Sequence, residues 1–310
     1  MMNTSSEGLV QIVPHLWYAT EALEAAQFYA GIFPESGLDY VGQIRGTPSG
    51  DCEFVEFRLG GQPFYAISAG PLFRFNPAIS FIVNFDPARD SQARQHLDAA
   101  WTALSDGGQI LMPLDAYPLS ARYGWVQDRY GLSWQLILTD PQGEPRPFIM
   151  PALTFNDAHY GQAEAALHFW CSVFEGSHMG HIMRYPAGME PHREGTLMFG
   201  EARLGDTWFA AMDSAPDHGF DFNAAVSFMV LCRDQAEIDR YWAALSAVPE
   251  AEACGWCQDR FGVAWQVVPE ALGQMMRSGD QARIDRLTQA FLPMKKLELA
   301  TLQAAFAQEA

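Results

Sequence analysis

The chain has 310 residues, 49% of them apolar, enough for one large packed core or two. Its 37 acidic residues outnumber 19 basic ones, and the net charge of -18 would repel phosphate backbones, which argues against nucleic acid as a partner. Five cysteines, an odd number in so long a chain, exclude a disulfide framework and fit a reducing compartment. Residues 1–13 hold no cationic stretch leading into an apolar core, and no apolar run approaches the roughly eighteen residues of a membrane span. The chain is therefore expected in the cytoplasm, without a membrane partner.

In chain order, residues 10–18 read as an extended apolar strand, followed by an amphipathic helix that presents Leu23, Ala26, Ala30 and Phe33 on one face. Strand-like runs follow at residues 38–45, 53–59 and 63–67. Then the pattern restarts. "AISFIVNF" from Ala78 is a strand, and "QARQHLDAAWTALSDGG" is a helix burying Leu97, Ala100, Trp101 and Leu104, stopped by Gly107 and Gly108. Further strands lie near Ile110, Gly124 and Ser133. The segment "TDPQGEPRP", residues 139–147, is rich in turn formers and reads as a linker.

Beyond the linker the chain repeats itself. "VPHLWY" at Val13 matches "MPALTF" at Met150, and "FRLGGQPFYA" at Phe57 matches "ARLGDTWFAA" at Ala202. "FNPAISFIV" at Phe75 matches "FNAAVSFMV" at Phe222, and "GWVQDRYGLSWQL" at Gly124 matches "GWCQDRFGVAWQV" at Gly255. The expected organisation is a first domain at residues 8–138, a linker at 139–147, a second domain at 148–270 and a helical tail at 271–310. In the tail Ile284, Leu287 and Phe291 recur at helical spacing before Pro293, with Lys295 and Lys296 solvated. The expected fold class is α+β: two tandem domains, each of two βαβββ modules forming a curled mixed sheet with helices outside.

Paired βαβββ modules with these phrases resemble the vicinal-oxygen-chelate superfamily, which includes glyoxalase I and the bleomycin- and fosfomycin-resistance proteins. "CGWCQDRFGVAWQVVP" at Cys254 is similar to its PhnB-like branch, labelled 3-demethylubiquinone-9 3-methyltransferase-like. No glycine-rich turn joins a strand to a helix as an adenosylmethionine site of the Rossmann type would require, so the methyltransferase activity is discounted.

The resemblance implies a trough in which each module supplies residues from its first and last strands, in many relatives to a divalent ion. The corresponding positions are His15, Tyr65, Ala78 and Gln135 in the first half, and Ala152, Phe209, Ala225 and Gln266 in the second. Only His15 is a good ligand there, whereas a catalytic metal takes about three from the protein. No metal ligands are therefore assigned and no cofactor is expected. The reading is a trough for a small organic molecule lined by Trp17, Tyr65, Gln135, Phe209 and Gln266. The alternative is a divalent-metal-dependent enzyme of lyase, isomerase or dioxygenase type, its active site near His15. On strand alternation His15 shares a face with Trp17; it is either a catalytic base or a histidine bonded to backbone. Each Gln either contacts ligand or satisfies a neighbouring strand. The troughs are expected to differ, because Ala152 stands where the first half has His15, and they are closed by an intrachain pseudo-dimer or a homodimer.

Four other groups read as structural. Glu56 with Arg58, and Glu201 with Arg203, suit ion pairs on a solvated strand. Asp128 and Asp259 suit the organisation of the turn before the last strand. His178, His181 and His192 read as a surface loop, and Cys254 and Cys257 point to opposite faces of a strand rather than forming a redox or metal pair.

Overall fold

In the computed structural model, which describes residues 9–215 and 218–308, the strand and helix periodicities resolve into four modules and a tail. The first holds β1 (Gln11–Tyr18), α1 (Ala22–Ile32), β2 (Gly37–Thr47), β3 (Gly50–Leu59) and β4 (Gln62–Ser68). The second holds β5 (Ile79–Phe85), α2 (Ala93–Ser105), β6 (Gln109–Tyr117), β7 (Ser120–Gln127) and β8 (Ser133–Leu138). The third holds β9 (Ile149–Phe155), α3 (Ala163–Val173), β10 (His178–Arg184), β11 (Leu197–Leu204) and β12 (Thr207–Asp213). The fourth holds β13 (Val226–Cys232), α4 (Gln235–Leu245), β14 (Trp256–Gln258) and β15 (Ala264–Pro269). A short 3-10 turn at Pro249–Ala251 stands where a third strand was expected after α4. Three helices complete the tail: α5 (Glu270–Met276), α6 (Gln281–Phe291) and α7 (Leu299–Ala307).

The α+β class, with two mixed sheets and helices packed against them, is as expected, but the modules combine differently. The first and fourth share a seven-stranded sheet, in the order β14-β15-β13-β1-β4-β3-β2, called sheet A below. The second and third share an eight-stranded sheet, β10-β11-β12-β9-β5-β8-β7-β6, called sheet B. Each sheet is therefore built from both halves of the sequence, not from one. The seams are antiparallel, β1 with β13 and β5 with β9. The linker explains the second seam: it leaves β8 and delivers β9 to the free edge of β5, which already pairs with β8. Sequential strands pack as near neighbours when a short connection permits it.

The sheets face each other through one core. Phe64 of sheet A meets Phe81 of sheet B with ring centroids 5.4 Å apart, and Phe209 of sheet B meets Phe228 of sheet A at 4.9 Å. The helices α1 to α4 pack on this core face, and the opposite face of each sheet is its trough face. Helix α1 buries Ala22, Ala25, Ala26 and Tyr29; of the expected face, Ala26 and Phe33 lie in the core and Leu23 packs against it, and the stripe widens to Tyr29, whose hydroxyl donates to the buried Asp128. Helix α2 buries Leu97, Ala100 and Leu104 as expected. Its Trp101 lies flat over β7, where a Cβ on Gly124 would sit 2.5 Å from the indole, so glycine is required by close approach.

The tail crosses the trough face of sheet A. Helix α6 turns Ile284 and Leu287 inward, and with Met275, Met276, Leu297 and Leu302 they pack on Phe54 and Val268 of the sheet. Each such side chain fully buried contributes about 1.5–3 kcal/mol. Lys295 and Lys296 pair with Glu252 and Asp239 rather than standing free.

Candidate functional site

The repeated phrase is first a structural device. Before β8, Asp128 Oδ1 accepts the backbone N–H groups of Tyr130 at 2.8 Å and Leu132 at 3.1 Å, while Oδ2 accepts Trp134 Nε1 at 2.8 Å and the Tyr29 hydroxyl at 2.7 Å. Before β15, Asp259 repeats this with Phe261, Val263, Trp265 and Trp170 at 2.9, 3.1, 2.9 and 2.8 Å. Each carboxylate thus closes its turn and fastens a helix of one sheet to a strand of the other. Burial pushes both carboxyls upward against the pull of these hydrogen bonds.

The next strand turns Trp134 or Trp265 into the core and Gln135 or Gln266 to the trough face. Gln135 Nε2 donates to Ser80 Oγ at 2.8 Å, and Gln266 Nε2 donates to Ser227 Oγ at 3.0 Å. These serines lie two residues beyond Ala78 and Ala225, on the same strand face. The recurring "SF" inside "AISFIV" and "AVSFMV" is the signal that could have found them.

From there the two sheets diverge. On sheet A, Ser227 sits opposite His15, His15 opposite Tyr65, and Tyr65 opposite Glu56. On sheet B the same ladder reads Ser80, Ala152, Ala210 and Glu201. Tyr65 therefore corresponds to Ala210, not Phe209, and a slip of one residue moves a strand side chain to the other face. Phe209 is fully buried in the shared core beside Phe228 and Trp170, so the structure does not bring it to a trough.

The sheet A row forms the floor of a cavity of about 1150 Å³, whose lining includes His15, Trp17, Tyr65, Trp256, Gln266 and Arg277. Phe291 and Leu292, at and just beyond the end of α6, also line it, so the tail roofs the site. Trp17 is held by its indole N–H donating to Gly70 O at 2.8 Å, and it stands edge-on to Phe73 and Trp256. Trp256 also meets the His15 ring edge-on at 5.4 Å. Gln135 is not in this lining. It is closed into its own network on sheet B, where the Tyr123 hydroxyl donates to its carbonyl oxygen at 2.7 Å.

His15 is 8% exposed and its Nδ1 has no hydrogen-bond partner. Burial lowers its pKa to about 3, so the ring is neutral at physiological pH and a weak base. The unfolded chain takes up this proton near pH 6.5, so the contribution of His15 to stability is complete above that pH and is lost as pH falls toward 3. Urea unfolding at pH 7 and pH 5 should show the parent losing about 2 kcal/mol more than His15→Asn over that interval. Equal losses would mean that the imidazole protonates in place.

Glu56 is 5% exposed, and Arg277, from just after α5, donates to it from Nε at 3.0 Å. Burial pushes the Glu56 carboxyl upward, opposed by Arg277, and Glu56 in turn holds Arg277 above its usual value. On sheet B, Arg146 of the linker donates to Glu201 at 2.9 Å and lies over the Trp208 ring. The expected solvated pairs are thus replaced: Arg58 binds Asp39, and both glutamates are buried with arginines distant in sequence. His178 and His181 are exposed on strand β10 rather than in a loop, while His192 stacks on Tyr185 at 4.0 Å. Cys257 is buried in the core on β14, whereas Cys254 lies half-buried in the turn before that strand rather than on it, its thiol donating to Leu292 O at 3.1 Å; all five cysteines are free.

A divalent ion, which the fold family implies, does not fit either row. Sheet A offers an imidazole, a phenol kept protonated because burial raises its pKa, a hydroxyl and an amide already donating to that hydroxyl. Sheet B offers two alanines. Neither row contains a free carboxylate, and among the described residues no three His, Cys, Asp or Glu side chains converge.

Fold and site together define a tandem βαβββ protein with one elaborated trough. The family model described as 3-demethylubiquinone-9 3-methyltransferase matches residues 10–137 and 147–268, and the chain belongs to that family, the PhnB-like branch of the glyoxalase and bleomycin-resistance proteins. Among solved structures, the PhnB protein of Bacillus cereus is 32% identical over 41% of this chain and 98% of its own, with a TM-score of 0.37. Glyoxalase I from Zea mays is 13% identical over 84% of this chain and 94% of its own, with a TM-score of 0.50, a likeness of fold. Comparison with curated proteins gave no match. Folds of the glyoxalase kind commonly bind small ligands and form dimers or pseudo-dimers. No helix among the described residues is long and apolar enough to cross a membrane.

Proposed function

We propose that the chain binds a small organic molecule in the sheet A cavity, without a metal, and that the pairing of modules across its two halves makes it an intrachain pseudo-dimer with one working trough. The carrying observation is the cavity itself: a roofed space of about 1150 Å³ with an aromatic wall and a short polar row on its floor. Apolar walls supply affinity and a few polar groups fix orientation, which is the usual composition of a small-molecule site. Trp17, Tyr65 and Gln266 are the ligand contacts in this reading, with His15 a neutral hydrogen-bonding group rather than a base. Gln135 keeps a structural role, as the equivalent amide of sheet B. The free cysteines fit a cytoplasmic setting.

The neutral fluorescent probe N-phenyl-1-naphthylamine tests this reading. Its emission should rise on binding the parent, and Trp17→Ala should weaken binding by about tenfold through loss of ring contact. Trp208→Ala, on the trough face of sheet B, should leave it unchanged. No binding, or equal sensitivity to the two substitutions, would remove the sheet A cavity as the site.

A further inference from the structure

Gln266 is 6% exposed and lines the cavity, and its Nε2 is engaged with Ser227. Among the described residues no donor reaches its carbonyl oxygen. On sheet B the equivalent oxygen receives the Tyr123 hydroxyl, but Cys254 occupies the matching position here and directs its thiol to Leu292 O. His15, also more than nine-tenths buried, adds an unpartnered Nδ1 on the same floor. The Gln266 oxygen is thus a free acceptor open to the cavity, where a ligand N–H can replace water as its donor.

Charge around the cavity points the same way. The ionisable side chains lining it include Glu250, Glu270 and a single cation, Arg277. Arg277 is already paired with Glu56, whose carboxylate offsets most of the attraction it would exert on an acidic ligand. Glu250 and Glu270 make no ion pair among the described residues, and the whole chain carries a net charge of -18. Such a field raises the local concentration of cations and disfavours anions.

We propose that the cavity takes a planar organic nitrogen base, whose N–H donates to the Gln266 carbonyl oxygen and whose ring lies against Trp17 and Trp256, and that it discriminates against planar acids. Aromatic faces attract such rings by stacking and, where the base is protonated, by cation–π contact. This inference rests on the reading of the sheet A cavity as the binding site.

Two ligands with one ring system separate the possibilities: 9-aminoacridine, a base, and acridine-9-carboxylate, an acid, titrated calorimetrically into the full chain at physiological salt. The base should bind at least about tenfold more tightly, and Gln266→Leu should weaken it about tenfold with the carboxylate unaffected. Thermal unfolding reports whether Gln266→Leu is folded, and Trp17→Ala, which should also weaken the base, serves as the second variant. Equal affinities, or a tighter acid that Trp17→Ala weakens, would overturn the preference for bases and leave the cavity as a binding site. Binding of the base that neither variant alters would place it elsewhere on the acidic surface and overturn the inference. Binding of neither ligand would overturn both the inference and the cavity reading.

Discussion

Replacing Asp259 by alanine is expected to lower stability by about 4 kcal/mol, and Asp128→Ala by a similar amount. The side chain of Asp259 is almost wholly buried and accepts four hydrogen bonds: two from the backbone of its own turn and two from indoles in α3 and β15. Truncation leaves four buried donors without an acceptor, and each unsatisfied group costs about 1–3 kcal/mol before relaxation or entering water reduces the total. It also cuts a fastening between the sheets, since Trp170 belongs to a helix on sheet B and Asp259 to a turn on sheet A. Asp259→Asn should cost less, about 2 kcal/mol, because one oxygen is retained. Urea denaturation of parent and variants measures both values; a loss below about 1 kcal/mol for the alanine variant would show that the network does not carry the turn.

The second large effect belongs to the roof. Arg277→Met should cost about 2–3 kcal/mol at pH 8, since it strands the Glu56 carboxylate; the value sits below the usual range for a broken buried pair because Arg277 is itself half exposed and screened by water. The pH dependence has a definite sign. Burial already raises the Glu56 pKa, and loss of the guanidinium raises it further, so the folded variant holds its proton to higher pH than the unfolded chain. The penalty is therefore absent well below the unfolded carboxyl pKa and grows as pH rises toward the folded value. Measured at pH 4 the same substitution should cost under about 1 kcal/mol. Adding Glu56→Gln should recover most of the loss at pH 8, a coupling that a double-mutant cycle reports. A penalty equal at both pH values, or no rescue, would mean that Arg277 acts through packing alone.

Much of this was legible in the sequence because repetition is a strong signal. The four strand-helix units, the Asp turns and the alternation of Trp134 with Gln135 all follow from period and turn chemistry. Pairing was not legible: periodicity says that β1 and β5 need neighbours but does not name them, so the sharing of sheets between halves came only from the structure. Tyr65 and Phe209 show the fragility of face assignment. Their halves match over "RLG", yet one residue of slip exchanged a trough side chain for a core ring. Glu56 and Arg277 lie 221 residues apart, and no local pattern announces such a pair. The tail shows its helices in Ile284, Leu287 and Phe291, but not the face they cover. Trp256, which walls the cavity beside His15, stands inside the repeated phrase at the place of Trp125, and only the surroundings of sheet A give it that position.

On the proposed reading the two matching amides have different roles: Gln266 faces the ligand and Gln135 closes a structural network. The most direct measurement is a calorimetric titration of 9-aminoacridine into the parent, Gln135→Ala and Gln266→Ala, with stoichiometry and thermal stability recorded for each. One site per chain is expected, with about tenfold weaker binding in Gln266→Ala and unchanged binding in a less stable Gln135→Ala. Two equivalent sites per chain, or binding weakened as much by Gln135→Ala as by Gln266→Ala, would contradict it.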